Sequence, residues 1–238
     1  QSYWDTLNSL PESMRRAMLE GDWDVFAGQV FSEWRRDLHV CEPWRIPADW
    51  LHWVGIDYGY SSPMCALWFA RSPDKERIYI YRELYGTGWR AAEQAKRIKA
   101  LSGNERMKAY MADPSMWQRR HETTGDRLAD EYEREGVVLY SANNDRAAGL
   151  NWVREVLNWK ALPTGRVMKQ PHLQVFSTCV NLIRTLPALP YDPHYVEDVD
   201  TEAEDHAYDA LRYGLSIERQ QEQKTIKVTV MRKRGEWR

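Results

Sequence analysis

The segment Trp53-Val54-Gly55-Ile56-Asp57 limits the fold more than any other stretch of this chain. Four uncharged residues run directly into an acid and then into a tight turn at Gly59. Such a run reads as a buried strand whose last residue is a carboxylate. Met64–Ala70 and Arg77–Leu84 read as two further strands, Met107–Ala112 as a short strand running into Asp113-Pro114, and Val137–Tyr140 and Leu173–Phe176 as two more. Helices are expected over Trp89–Leu101, Gly125–Glu135, Asp145–Trp159 and Cys179–Leu186, with apolar faces clearest in the first and third. A last helix is expected over 202–220, opened by a capping box at Thr201–Glu204, with Ala207, Leu211 and Gly214 along one face. Early strands followed by alternating helices and strands make the expected fold class α/β, with a mixed sheet flanked by helices.

The two ends of the chain read differently. Residues 1–50 have the look of a helical, Trp-rich N-terminal arm, with Leu7, Leu10, Met14 and Met18 at helical spacing and a break at Gly21-Asp22-Trp23-Asp24. Residues 51–220 would form the main domain, and 221–238 a basic C-terminal tail ending in Arg232-Lys233-Arg234 and beyond. Trp4, Trp23, Trp34, Trp44, Trp50 and Trp53 crowd the first 53 residues, and packing against the sheet is expected of them rather than base stacking.

No apolar run approaches the roughly 18 residues of a membrane span, and no signal-peptide pattern opens the chain. Cys41, Cys65 and Cys179 form no C-x-x-C, and the six histidines form no H-x-x-x-H pair, which argues against a disulfide framework or a zinc hydrolase. A reducing, cytoplasmic setting is the default expectation. The 33 basic and 35 acidic residues nearly cancel, but only because opposed regions offset one another. Seven acids and no Lys or Arg lie between Glu197 and Asp209, while Lys224 to Arg238 holds six Lys or Arg and one acid.

The acids carry the chemistry. Asp57 and Asp113 stand at strand ends, where ligands of open α/β sheets collect. Asp205 and Asp209 are four residues apart, so a helix puts them on one face. Taken singly, each has an ordinary structural reading: a turn former, a strand exit, or a partner for the helix dipole. Converging together, they would repel one another unless a divalent cation lay among them. An oxygen-only set favours Mg²⁺ or Mn²⁺, and two such ions can drive phosphodiester hydrolysis.

At these residues the chain resembles the nuclease domain of large terminase subunits, the DNA-packaging enzymes of tailed bacteriophages. Gly55-Ile56-Asp57-Tyr58-Gly59, Tyr110-Met111-Ala112-Asp113-Pro114-Ser115 and Asp205-His206-Ala207-Tyr208-Asp209-Ala210-Leu211-Arg212-Tyr213 are similar to the family's three acidic motifs. Gly21-Asp22-Trp23-Asp24, Gly28 to Trp34 and Asn144 to Gly149 share its look as well. The resemblance implies a ribonuclease H-like fold, metal-dependent cutting of concatemeric double-stranded DNA, and two Mg²⁺ or Mn²⁺ ions on Asp57, Asp113 and Asp209. Asp205 or His206 would assist on a metal. Partners implied are the terminase ATPase domain, the small terminase subunit and the portal, inside the host cytoplasm. The chain has no Gly-Lys dipeptide, so it lacks the family's phosphate loop and is expected to be the nuclease half alone, a reading that fits its start at Gln1.

Two other readings stay open at this level. One is a DNA-binding or motor-docking module without catalysis, whose phosphate contacts would come from Arg119, Arg120, Arg146, Arg154 and Lys169. The other is an actin-like ATPase, which shares the first motif but needs a glycine pair that this chain does not have.

Overall fold

A computed structural model of the chain describes residues 29–118, 125–162, 164, 166–195 and 198–217. Its frame is a seven-stranded sheet. Across it the strands run β1 (Val40–Cys41), β9 (Leu173–Phe176), β4 (Ile78–Gly86), β3 (Met64–Arg71), β2 (Leu51–Asp57), β5 (Met107–Ala112) and β6 (Leu139–Ser141). The β2–β3 and β3–β4 pairs are antiparallel, and the other four pairs are parallel. Six of the seven β2 residues and seven of the eight β3 residues are buried, as expected for strands covered on both faces. The helices are α1 (Arg36–His39), α2 (Ala91–Ser102), α3 (Leu128–Arg134), α4 (Arg146–Leu157), α5 (Val180–Thr185) and α6, over 206–217.

The strands read from sequence are present, and Met107–Ala112 and Leu173–Phe176 match to the residue. The two-residue β1 and the small separate ribbon of β7 (Lys160–Ala161) and β8 (Val167–Lys169) have no counterpart in the sequence pattern, because each is too short to show a period. The last helix also begins later than expected. Glu204, the expected capping glutamate, directs its carboxylate to Arg184 and to the Tyr85 hydroxyl. The helix therefore opens after Asp205, whose carbonyl accepts from the Asp209 N–H at 2.8 Å.

The tryptophans of the described core pack as expected: Trp34, Trp53 and Trp68 are all fully buried. Trp44 is partly exposed and lies edge-on to Trp50 and Tyr79. Trp4 and Trp23 lie outside the described residues, as do residues 1–28 of the expected arm and 221–238 of the tail. Between 29 and 50 the only helix is α1; Val30, Phe31 and Trp34 sit in the core, and β1 adds an edge to the sheet through β9.

One contact fixes the site before any acid is considered. A Cβ on Gly55 would lie 2.2 Å from the Ala210 carbonyl oxygen, and one on Gly214 would lie 2.3 Å from the Phe69 ring. Strand β2 and helix α6 thus touch backbone to backbone, which only glycine permits. The Trp53 indole adds a hydrogen bond to the Gly214 carbonyl at 2.9 Å. From Trp53 to Asp57 the strand climbs about 13 Å, and from Gly214 back to His206 the helix covers about 12 Å. The two lengths match, so the acid end of β2 meets the first turn of α6.

Candidate active site

Parallel pairing brings the first two acids together. Ile56 pairs with Ala112 in the β2–β5 register, so Asp57 and Asp113 follow at the same level, and the Asp113 N–H donates to the Ile56 carbonyl at 3.3 Å. Strand β6 ends on the same edge, where the Ala142 N–H donates to the Ala112 carbonyl. The loop after it leads to Asp145, which caps α4 by accepting from the Ala148 N–H at 3.0 Å and so places Arg146 at the helix start. Helix α6 supplies His206 and Asp209 from its first turn, and Asp205 stands just before it.

Asp57 is almost entirely buried. Burial, joined by the charges of Asp209 and Asp113 and opposed by the His206 hydrogen bond, pushes its carboxyl up to about 7. His206 Nδ1 lies 3.1 Å from Asp57 Oδ2, and that hydrogen bond raises the imidazole above its ordinary value. His206, which the resemblance offered as an assistant on a metal, is thus a direct partner of the central acid. Burial and the nearby Asp209 charge also raise Asp205, to about 6, against the pull of Arg146.

The other acids are held by their own neighbours. Asp113 accepts from the Ser115 N–H at 2.8 Å and from its hydroxyl at 2.5 Å. Asp209 accepts from Arg212 Nε and Nη2 at 3.1 and 3.0 Å. Arg212 is itself buried; Gly149 of α4 leaves the space its stem fills, since a Cβ there would lie 2.4 Å from Arg212 Cδ. Arg146 Nη1 stands 3.6 Å from Asp209 and its Nη2 3.8 Å from Asp205, while its Nε donates to Asp198 at 2.6 Å.

Among the described residues, no three His, Cys, Asp or Glu side chains form a ready-made ligand cage. The donor chemistry nevertheless fits a hard divalent cation: Asp57 is a buried carboxyl whose proton affinity is raised first by burial and then by the charges of Asp209 and Asp113. The side chains that would have to turn are Asp113 and Asp209, each now engaged with a neighbour.

Arg154 departs from the DNA track read in the sequence. Its guanidinium donates to the Val30 carbonyl and the Tyr191 hydroxyl, tying α4 to the N-terminal segment. Lys169 ends β8, in the small ribbon, and Arg119 and Arg120 lie outside the described residues. Reading the sequence missed three contributors. Arg212 stood in the third motif without a role, although its spacing of three from Asp209 allows a helix pair. Asp198 gave no signal at all. Neither did Gln94 of α2, which is fully buried, donates to the Gly59 and Trp89 carbonyls and accepts from the Tyr132 hydroxyl, so bracing the turn that follows Asp57.

A mixed sheet with acids at the adjacent ends of its central parallel strands, faced by an acid-bearing helix, defines a ribonuclease H-like nuclease fold. The family model "Terminase RNaseH-like domain" matches residues 54–218, and the chain belongs to that family. Its structure is similar to the P22 large terminase nuclease domain, with a TM-score of 0.62 and 17% identity over 81% of this chain and 93% of that one. It is also similar to the nuclease domain of the bacteriophage SPP1 large terminase solved with bound Mn (TM-score 0.56, 18% identity, 80% of this chain and 98% of that one). Against the large terminase of a thermophilic bacteriophage solved in complex with ADP, the TM-score is 0.63 at 17% identity, over 91% of this chain but only 52% of that one. No curated protein matches the sequence.

Proposed function

We propose that the chain is a divalent-metal-dependent endonuclease that cuts concatemeric double-stranded viral DNA during genome packaging. The observation that carries this reading is the placement of Asp57, whose buried carboxyl feels both Asp209 and Asp113. Asp57, Asp113 and Asp209 would hold two ions, Mg²⁺ or Mn²⁺, with Asp205 and His206 in reserve. Such ions supply Lewis-acid stabilisation of charge on phosphate oxygens and make water a stronger nucleophile. The chain's own residues prepare the ground. His206 keeps Asp57 oriented through Nδ1, while Ser115 and Arg212 hold Asp113 and Asp209 in contacts that each would exchange for a cation. Asp57 and Asp205 would have to give up their protons to hold a cation. The Mn bound in the SPP1 nuclease and the zinc bound in the phage G20c nuclease support a divalent cofactor.

The same reading divides the chain into a segment 1–50 leading from an ATPase motor, a nuclease over 51–220 and a basic tail over 221–238. That motor, the small terminase subunit and the portal would be the partners, in the host cytoplasm. The family match leaves no support for an actin-like ATPase. A plasmid-nicking assay with Mn²⁺, comparing the native chain with Asp209→Ala, tests the proposal. Nicking by the native chain that the variant loses is expected. No cutting by the native chain with any divalent metal would refute the activity, and undiminished cutting by the variant would refute the site.

A further inference from the structure

Arg146 is the one basic side chain of the expected DNA track that, among the described residues, the fold carries into the acid cluster. It faces three carboxylates: Asp198, Asp205 and Asp209. They do not hold it equally. Only Asp198 is within hydrogen-bonding distance, at Nε. The Nη atoms stand 3.6 and 3.8 Å from Asp209 and Asp205, too far for a good hydrogen bond but close enough for strong attraction. Nη2 is buried and makes no hydrogen bond among the described residues. The guanidinium is thus tethered at one corner, and its positive edge rests against the acids without being locked to them.

That arrangement suits neither a structural ion pair nor a free surface arginine. A structural pair would close to hydrogen-bonding distance, as Arg212 does by setting both Nε and Nη2 on Asp209 Oδ1. Arg146 instead places its charge beside the Asp205–Asp209 face, where it offsets repulsion between acids brought one helical turn apart. Any divalent cation entering there meets that charge at close range.

Building on the nuclease reading above, we propose that Arg146 is a resident counter-ion of the site, occupying the Asp205–Asp209 face and competing with divalent cations for it. It is a positioning residue: it sets how tightly the acids take a cation, and the Asp198 tether keeps its head at the site when the cation displaces it. A unit charge and a divalent ion about 6 Å apart repel enough, even at the dielectric constant of water, to change affinity about tenfold.

The test is Mn²⁺ binding by calorimetry on the 238-residue chain, without DNA. Arg146→Gln should bind Mn²⁺ about tenfold more tightly than the native chain, and Arg146→Lys, which keeps the charge, should stay near the native value. Native-like or weaker binding by Arg146→Gln would overturn the proposal while leaving the nuclease reading intact. Absence of binding in all three chains would overturn both. Should Arg146→Gln fail to fold, the native chain decides: the Arg146 guanidinium ¹⁵N signals should move as Mg²⁺ saturates the site, and unmoved signals at saturation would refute the competition.

Discussion

A histidine set into a polar network stands at each end of strand β2, His52 of the strand itself and His206 of α6, and the networks are built on opposite principles. At the start, His52 is almost fully buried; its Nδ1 lies 3.0 Å from the Tyr81 hydroxyl and its Nε2 3.0 Å from the Pro47 carbonyl. The Tyr81 hydroxyl in turn donates to Glu105, which is ion-paired with Arg82. Every charge there has a partner. At the other end, His206 meets a single acid, which burial above all, and then the charges of Asp209 and Asp113, push toward its neutral form. One end is a closed network that holds the sheet to its neighbours. The other keeps unbalanced negative charge, which costs stability and gives the site an affinity for cations.

The largest expected effect falls at the acid end. Asp57→Asn should lower metal-dependent nicking by about 10³-fold or more, because it removes the charge at the centre of the cluster. The same variant should melt no lower than the native chain at pH 8, and by about 2–4 °C higher if the relief is about 1 kcal/mol. Asp57 and Asp205 have folded-state values raised to about 7 and about 6. A raised carboxyl favours folding below its unfolded value near 3.9, and that contribution fades as pH climbs through the folded value. Metal-free stability should therefore fall between about pH 4 and 7, and the fall should shrink in Asp57→Asn. A thermal melt across pH showing the reverse slope would break the contrast between the two ends.

His206→Ala is expected to lose about 10- to 100-fold in nicking or in metal affinity, since it removes the partner that orients Asp57. His52→Ala should show the opposite pattern. Leaving the Pro47 carbonyl and the Tyr81 hydroxyl short of a partner should cost about 1–3 kcal/mol in chemical denaturation, with nicking by the folded protein retained. If both variants lost activity and stability together, the ends would not be separable. The smallest effect belongs to Glu105→Gln. Its ion pair with Arg82 is about a third exposed, so screening should hold the loss to about 1 kcal/mol or less by denaturant titration.

The sheet's central strands were legible because they are buried on both faces and long enough to show it, as β2 and β3 are. Their acid ends were legible for the same reason, since Asp57 and Asp113 break apolar runs. The Thr201–Glu204 capping box was not a reliable sign, because Glu204 found an arginine and a tyrosine that lie far away in sequence. Arg146 and Arg154 looked alike as basic residues on one helix, yet α4 turns one toward the acids and the other toward Val30.

By itself, then, the sequence determined which residues could be buried strands and which acids would end them, since periodicity and charge are local properties of the chain. It also contained Gly55 and Gly214, without showing that the helix backbone at Ala210 and Gly214 requires the first and the Phe69 ring the second. Only the tertiary structure decided that these glycines meet, that His206 reaches Asp57 rather than solvent, and that Arg146 lies against Asp205 and Asp209. The farthest of those contacts in sequence joins Gly55 to Gly214, 159 positions along the chain. They arise from packing a helix onto a strand, a relation that no local pattern encodes.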